Sequence, residues 1–399
     1  MQVERLVLEN FRGFEGLDLA LHPRLSVLIG ANGSGKSSVL DALCILCSEV
    51  YGQKSHAIAT SSSDVRNGSP TTTLSLHGKS GGTPWSWQET FRIAPQAGGN
   101  GVLTLGEQEG KNLPNFSLLV AFYSVRRALL GGGIDTPKDD EILSRSAAYR
   151  GALGGGGAFD DFLLWFRARE DVENEIRLRG DAGFRDGQLQ AVRGALSQMM
   201  PGYQDIYVQR HPRPGIVLSK GGASLFIRQL SDGEKCLLAV VGDIARRLAI
   251  LAPEGVDPLS QAALVMIDEI ELHLHPGWQR EVVPALLRTF PGCQFVLTTH
   301  SPQVLASVAS ESVILLDQFR ALPSPAMTKG RDSTSILTDL MGLPEHPGET
   351  AARLHQIAES LDRDDLQGAK QAIEALASEL GEADREVLRL RSLLSFLGG

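Results

Sequence analysis

With 399 residues, 42% hydrophobic and 21% charged, the chain has the make-up of a globular protein and length for two or three domains. The balance of 38 basic against 47 acidic residues gives a net charge of −9, which excludes coating of nucleic acid by bulk charge but leaves room for a local basic patch. Four cysteines make no disulfide framework in so long a chain, no apolar run can span a bilayer, and the first residues lack the pattern of a secretion signal, so a cytoplasmic protein without a membrane is expected.

Three strands are predicted first, by alternation over residues 3–9 and 17–21 and by the apolar run 25–29. The third ends on Gly30-Ala-Asn32-Gly33-Ser34-Gly35-Lys36-Ser37, which satisfies G-x-x-x-x-G-K-[ST] in full, and a helix continues from it to about Val50. Glycines let the backbone N–H groups of such a loop converge on phosphate oxygens, and the helix dipole adds to the attraction. Lys36 would reach the β- and γ-phosphates of ATP and Ser37 would ligate Mg²⁺, with Gly30, Asn32, Gly33, Ser34, Gly35 and Ser38 completing the cradle. Cys44 and Cys47 form a C-x-x-C within this helix. A buried helix face explains them better than a redox or metal pair, since no second Cys/His pair is suitably spaced.

Residues 52–70 read as a loop, and 71–77 with 85–93 as an antiparallel hairpin about the turn at 78–82. Residues 118–124 form another strand. Glycines at 131–133 and 154–157 flank a stretch without periodicity, and 159–200 turns helical. Next are strands at 206–209 and 215–218, a helix at 237–251, a strand at 263–267, a helix at 278–290, and strands at 294–299 and 312–316. The tail from Ser333 is helical and amphipathic. Apolar strands with helices between them give an α/β core with helical pieces inserted and appended.

Leu264-Val-Met-Ile-Asp268-Glu269 supplies a second half of the site. A buried strand ending in two carboxylates is costly unless the charges meet a metal or a partner. Asp268 would hold the Mg²⁺ shell and Glu269 would orient or deprotonate the attacking water; a solvated strand end is the plainer alternative. Leu297-Thr-Thr-His300-Ser-Pro comes after another apolar strand, which puts His300 on the ligand-facing rim of a parallel sheet, where it could donate to the γ-phosphate. A lone His is more often structural. Gln229-Leu230-Ser231-Asp232-Gly233-Glu234-Lys235 is a polar cap ahead of a long apolar helix. Ser231 with Glu234 makes a capping box, and a helix N-terminus so built is also an anion site.

These four motifs, in this order, resemble the ATP-binding-cassette heads of SMC and RecF-like ATPases, over most of residues 1–320. The resemblance implies an ABC-type head: a P-loop parallel sheet, an N-terminal antiparallel β-subdomain, a helical insertion and a helical C-terminal tail. It divides the chain into an N-terminal lobe at 1–127, an insertion at 128–205, a C-terminal lobe at 206–320 and a tail at 333–399. It also implies a head-to-head homodimer with ATP at the seam. Ser231, Gly233 and Glu234 would meet the γ-phosphate held by the other subunit, with His300 as the switch histidine.

A narrower resemblance, through residues 268–280, 294–304, 122–127 and 165–175, is to small prokaryotic ATPases of the Septu and retron-associated defence type. It implies an effector subunit such as an HNH-type nuclease. Two departures stand out. The interval before the signature lacks sustained heptads, which argues against bridging distant DNA. The glutamine that joins the Mg²⁺ shell in ABC heads has only Gln88 as a candidate, in a predicted hairpin strand.

His273 and His275 form an H-x-H, better read as subunit contact than as a metal pair because a third ligand is missing. Arg167, Arg169, Arg177, Arg179, Arg185 and Arg193 are interleaved with acids, which favours a solvated helix face over a nucleic-acid patch. Arg126 and Arg127 come directly after an apolar strand, near phosphate or the dimer seam. Asp362, Asp364 and Asp365 read as a helix start, and residues 301–399 show no nuclease motif. The leading expectation is an ATPase whose ATP-dependent dimerisation controls an effector in antiphage defence. The alternatives are a RecF-like ATPase that binds DNA directly and a regulator that uses ATP as a slow clock to restrain a toxic effector.

Overall fold

The computed structural model describes residues 2–51, 60–94, 102–113, 118–125, 139–156, 159–213, 215–323, 327–341, 348–363 and 365–397. Alternating apolar residues in β1 (Gln2–Phe11) and β2 (Phe14–Ala20) turn one face of an antiparallel ribbon inward, burying Val3, Leu6, Leu8, Leu17 and Leu19. All five residues of β3 (Leu25–Ile29) are buried, as in a strand covered on both faces. Next come α1 (Lys36–Val50), then β4 (Thr71–Ser80), β5 (Thr83–Ala94), β6 (Val102–Lys111) and β7 (Leu119–Tyr123). After α2 (Asp139–Ile142), the helices α3 (Phe159–Leu178) and α4 (Gly187–Met199) precede a small meander of β8 (Tyr203–Gln209), β9 (Gly215–Lys220) and β10 (Ala223–Phe226). The rest of this unit is α5 (Asp232–Leu251), β11 (Ala263–Ile267), α6 (Pro276–Thr289), β12 (Cys293–Thr298), α7 (Pro302–Leu305), β13 (Val313–Asp317) and β14 (Arg320–Pro323).

Two larger sheets enclose α1. One is antiparallel, in the order β2-β1-β4-β5-β6; the other runs β14-β13-β3-β12-β11-β7 and is parallel except for β14. One core holds Leu6, Leu8, Leu74 and Leu76 from the first, Leu40, Leu43, Cys44 and Cys47 from the helix, and Val120, Met266 and Val296 from the second. Burial pushes both thiols up, so Cys44 and Cys47 pack as small apolar groups. Gln294 ties the sheets together: its side chain accepts from the Val3 N–H at 3.0 Å and donates to the Val3 carbonyl at 2.7 Å, as a neighbouring strand would.

The parallel register brings the strand ends level with one another. Leu28 of β3 stands opposite Thr298 of β12, and Leu297 opposite Ile267 of β11, so the carboxyl ends of three adjacent strands form one rim. Some elements differ from expectation. β6, which no pattern in the sequence predicts, carries Gly106, Glu107, Gln108 and Glu109 and pairs with β5 as an edge strand, where polar side chains face solvent. The signature helix starts at Asp232, five residues before its apolar run, because the capping box is its first turn. Within the stretch expected to be irregular, α2 and a turn at Arg145–Ala148 form; the glycines at 131–133 lie outside the described residues.

The chain divides after Arg331. The second unit holds α8 (Ser333–Met341), α9 (Gly348–Asp362), α10 (Leu366–Leu380) and α11 (Arg385–Leu397), with a core built around Ile357, Ile373, Leu376, Val387 and Leu390. Asp365 caps α10 by accepting from the Gly368 N–H at 2.9 Å, and Asp364 lies outside the described residues. Among the described residues no helix is long and apolar enough to cross a membrane.

Candidate active site

The phosphate loop is shaped by close packing. Gly30 (φ 145°) has no room for a Cβ, which would lie 2.1 Å from the Leu316 carbonyl, and a Cβ on Gly35 (φ 102°) would strike the Phe14 ring. Gly35 is also the N-cap of α1 and supplies no side-chain cap, so the first N–H groups of that helix are left to an anion. The Ser34 hydroxyl is buried without a hydrogen-bond partner. Lys36 folds back over the loop, donating to the Gly30 and Ala31 carbonyls at 3.0 Å each. An orphaned hydroxyl, an uncapped helix start and a lysine that, among the described residues, hydrogen-bonds to loop carbonyls alone fit a phosphate chain. Asn32 and Gly33 stand exposed at the tip. Ser38, at the base, accepts from Arg12 at 3.3 Å, and Arg12 is fixed in turn by Asp41 and Asp64 at 2.6 and 2.8 Å.

On the neighbouring strand ends, Ser37 Oγ donates to Asp268 Oδ2 at 2.9 Å. The other Asp268 oxygen accepts from Thr298 Oγ1 at 2.6 Å, and the same Thr298 oxygen accepts from the Glu269 N–H at 2.7 Å. Glu269 sits at φ 48°, a left-handed conformation this clamp holds in place. Glu271 accepts from Thr299 Oγ1 at 2.8 Å and from the His300 N–H, fixing His300, half-buried, at the end of β12. Burial lowers the Lys36 pKa, opposed by the carboxylates of Asp268, Glu269 and Glu271 that face it. A serine hydroxyl beside one carboxylate is a donor set for Mg²⁺, which takes few protein ligands and fills its shell with water and phosphate.

The signature segment caps its helix as its sequence implies. Ser231 Oγ accepts from the Glu234 N–H at 3.4 Å, and Glu234 Oε2 accepts from the Ser231 N–H at 2.9 Å. The other Glu234 oxygen accepts from the Tyr203 hydroxyl and from Lys220 Nζ at 3.0 Å. Burial would raise the Glu234 carboxyl, but Tyr203, Ser231 and Lys220 outweigh it and hold the pKa down to about 2. Gly233 is buried against the segment after the carboxylates: a Cβ there would lie 2.3 Å from the His273 carbonyl. Ser231 itself is exposed.

The remaining sequence candidates fall elsewhere. Gln88 lies within β5 and accepts from Ser75 across the hairpin at 3.2 Å, so its side chain serves the antiparallel sheet. His275 is the N-cap of α6, accepting from the Gly277 N–H at 3.2 Å, and among the described residues no cluster of three His, Cys, Asp or Glu could hold a metal. Arg126 and Arg127 lie outside the described residues.

One part of the surroundings carries no motif. Tyr123, the last residue of β7, gives its carbonyl to the Asp268 N–H at 2.8 Å and its hydroxyl to Asp243 of α5 at 2.8 Å. Arg246 and Arg247 pair with that carboxylate at 2.6 and 2.7 Å and donate onward to the carbonyls of Ala147 and Ala148. All three charges are buried. Burial would raise the Asp243 carboxyl; the two arginines hold it below its ordinary value. The network ties the strand beside Asp268 and Glu269 to the helix that begins with Ser231 to Glu234.

A phosphate loop after one parallel strand, carboxylates after a second and a histidine after a third define a P-loop ATPase. A family model described as "AAA domain, putative AbiEii toxin, Type IV TA system" matches residues 156–306, and another described as "AAA domain" matches residues 5–91. The chain is similar to the "Retron Ec83 probable ATPase" of Escherichia coli, 28% identical over 88% of this chain and 78% of that protein. It is also similar to the "Septu protein PtuA" of Bacillus thuringiensis, 22% identical over 86% of this chain and 85% of that one. A solved SMC head bound to the C-winged helix domain of ScpA aligns with 80% of this chain and 96% of its own, at 14% identity and a TM-score of 0.49. The chain is an ATP-hydrolysing enzyme, similar over most of its length to retron-associated and Septu ATPases.

Proposed function

We propose that ATP drives head-to-head dimerisation of this chain and that the dimer controls an effector subunit in antiphage defence. The observation that carries the reading is the contrast between a clamp anchored on the buried Asp268 and Thr298, which tie down Ser37 and Glu269, and the exposed Ser231 at the start of α5, bonded among the described residues only within its own cap. Lys36 would leave its loop carbonyls for the β- and γ-phosphates. Ser37 and Asp268 would hold Mg²⁺, which when bound neutralises charge on the phosphate oxygens. Glu269 would orient the attacking water and take its proton, and His300 would donate to the γ-phosphate. Ser231, Gly233 and Glu234 would complete the site of a second copy, so that charge shared between two helix N-termini favours the closed dimer.

The reading uses lobes at residues 1–127 and 206–320, the insertion at 128–205 and the tail at 333–399. For the effector, an HNH-type nuclease is the expected class. The tail offers it an apolar surface, since α11 leaves Leu388, Leu393 and Phe396 exposed. The test is Glu269→Gln. Hydrolysis is expected to fall about a hundredfold or more, while light scattering finds a dimer that persists in ATP. A variant that hydrolyses ATP normally and never changes mass with ATP would overturn the mechanism.

A further inference from the structure

The arginines of α3 and α4 and of the turn between them sort into two groups. Arg167 meets Asp171, Arg169 meets Asp186 at 2.7 Å, Arg179 meets Glu175 at 2.5 Å, and Arg193 is held by Glu170 and Glu173 at 3.2 and 3.1 Å. Arg177 and Arg185 are different. Among the described residues neither pairs with a carboxylate; Arg177 donates to the Ala182 carbonyl at 3.4 Å and Arg185 to the Phe184 carbonyl at 2.9 Å.

Both line one cavity of about 580 Å³ between α3, α4 and β8, within the range of small-ligand sites, roughly 300–1,000 Å³. Leu196, Met200 and Leu218 supply apolar wall. The register of β8 against β9 slips between Gln204 and Tyr207, with Asp205 at φ 50°, and such a bulge re-aims the next side chain. Tyr207, beyond it, is 37% exposed and lines the same cavity. Glu173 and Asp205 also line the cavity, Glu173 taken up by Arg193. Two guanidiniums that pair with neither carboxylate, beside a tyrosine and an apolar wall, suit a ligand with a phosphate at one end and a flat ring at the other. Tyr203 is a wall of this cavity too, and its hydroxyl donates to Glu234 of the signature cap.

We propose that this cavity is a second nucleotide site, distinct from the phosphate loop, which takes a phosphate on Arg177 and Arg185 and a base against Tyr207. Occupancy is transmitted through Tyr203 and Glu234 to Ser231. That second clause rests on the reading of Ser231 to Glu234 as a γ-phosphate contact; the site itself does not. The nucleotide comes either free or as one unit of a single strand, and the two sources are separable by length.

The test is calorimetric titration of Lys36→Ala full-length protein, in which the phosphate loop is disabled, with thymidine 5′-monophosphate and with a 5′-phosphorylated thymidine trinucleotide. Binding is expected to weaken about tenfold or more in Arg177→Ala/Arg185→Ala and about tenfold in Tyr207→Ala, with thermal midpoints unchanged. Equal affinity for the two probes assigns the free nucleotide, and tighter binding of the trinucleotide assigns the strand. No binding of either probe at millimolar concentration, or binding that ignores these substitutions, overturns the site. In protein with Lys36 intact, the bound probe is expected to change hydrolysis about fivefold, and Tyr203→Phe should keep binding but lose that response. Binding without any effect on hydrolysis would sink the coupling alone and leave the site standing. Normal hydrolysis in Ser231→Ala would instead count against the signature reading.

Discussion

The two polar clusters of the site are built on opposite plans. Around Asp268, the carboxylate at 6% exposure, Thr298 at 0% and Lys36 at 7% face inward, each held by groups from a different strand end or loop. Around Ser231 the bonds close locally, within one helical turn and two residues of the neighbouring meander, and the serine faces solvent. The first plan fixes donors and acceptors before substrate arrives, which is what electrostatic catalysis asks for. The second leaves groups that can be re-partnered at the cost of a cap, about 1 kcal/mol. Parallel pairing sets the geometry of one cluster, and a capping box sets that of the other.

The link between them is where the contrast breaks most severely. Removing Asp243 leaves Arg246 and Arg247 buried without their counter-charge and takes away the partner of the Tyr123 hydroxyl. Asp243→Ala is expected to lose about 3–5 kcal/mol of stability, measured by urea unfolding of full-length protein with ATP withheld. A loss under about 1 kcal/mol would mean the network relaxes and ties nothing together.

That network also marks how far sequence carried. Local grammar was readable: Gly30 to Ser37 after an apolar strand, the Asp268–Glu269 pair after another, Ser231 with Glu234 at a helix start. Each is a short-range pattern whose physics is contained in a few neighbouring residues. Most of the strands and helices before Arg331 were legible for the same reason. The features that were not legible depend on pairing across long separations. Asp243, Arg246 and Arg247 sit in a sequence that reads as a long apolar helix, and Tyr123, the partner of Asp243, is 120 residues away. Thr298 had a visible place in the Thr-Thr-His segment, but its double role, toward Asp268 and Glu269, comes only from the register of β11 against β12. β6 was missed because an edge strand needs no apolar alternation. The pattern of six arginines looked uniform, and only the pairing separates Arg177 and Arg185 from the rest.

A change at Thr298 tests the inward cluster alone. Thr298→Val keeps the shape and deletes the hydroxyl that holds both Asp268 and the Glu269 N–H. Stability should fall by about 1–3 kcal/mol, since the half-buried Glu269 N–H loses its acceptor and the buried Asp268 loses a donor. If Glu269 orients the attacking water as proposed, hydrolysis should fall further, about a hundredfold, because that carboxylate is no longer fixed. The comparison is sharpened by measuring ATP affinity alongside: it should hold, as the phosphate loop is untouched. Loss of affinity in parallel with turnover would place Thr298 in nucleotide binding instead.

The smallest effect belongs to the outward cluster and is read through pH. The Glu234 carboxyl has an ordinary value of 4.5 and is held down to about 2 in the folded chain. The unfolded chain therefore takes up the proton first as pH falls, and the stability contributed by this group is present above about pH 4.5 and lost between there and about pH 2. Glu234→Gln removes the titration while keeping the shape. The difference in stability between the parent protein and this variant should be constant from pH 7 to about 5 and shrink steadily below it. Tyr203→Phe, which withdraws one donor from the same carboxylate, should leave the onset near pH 4.5 but make the total decline smaller and complete at a higher pH. A difference that stays flat down to pH 3 would mean the cap is held by its backbone bonds alone, with no contribution from the charge.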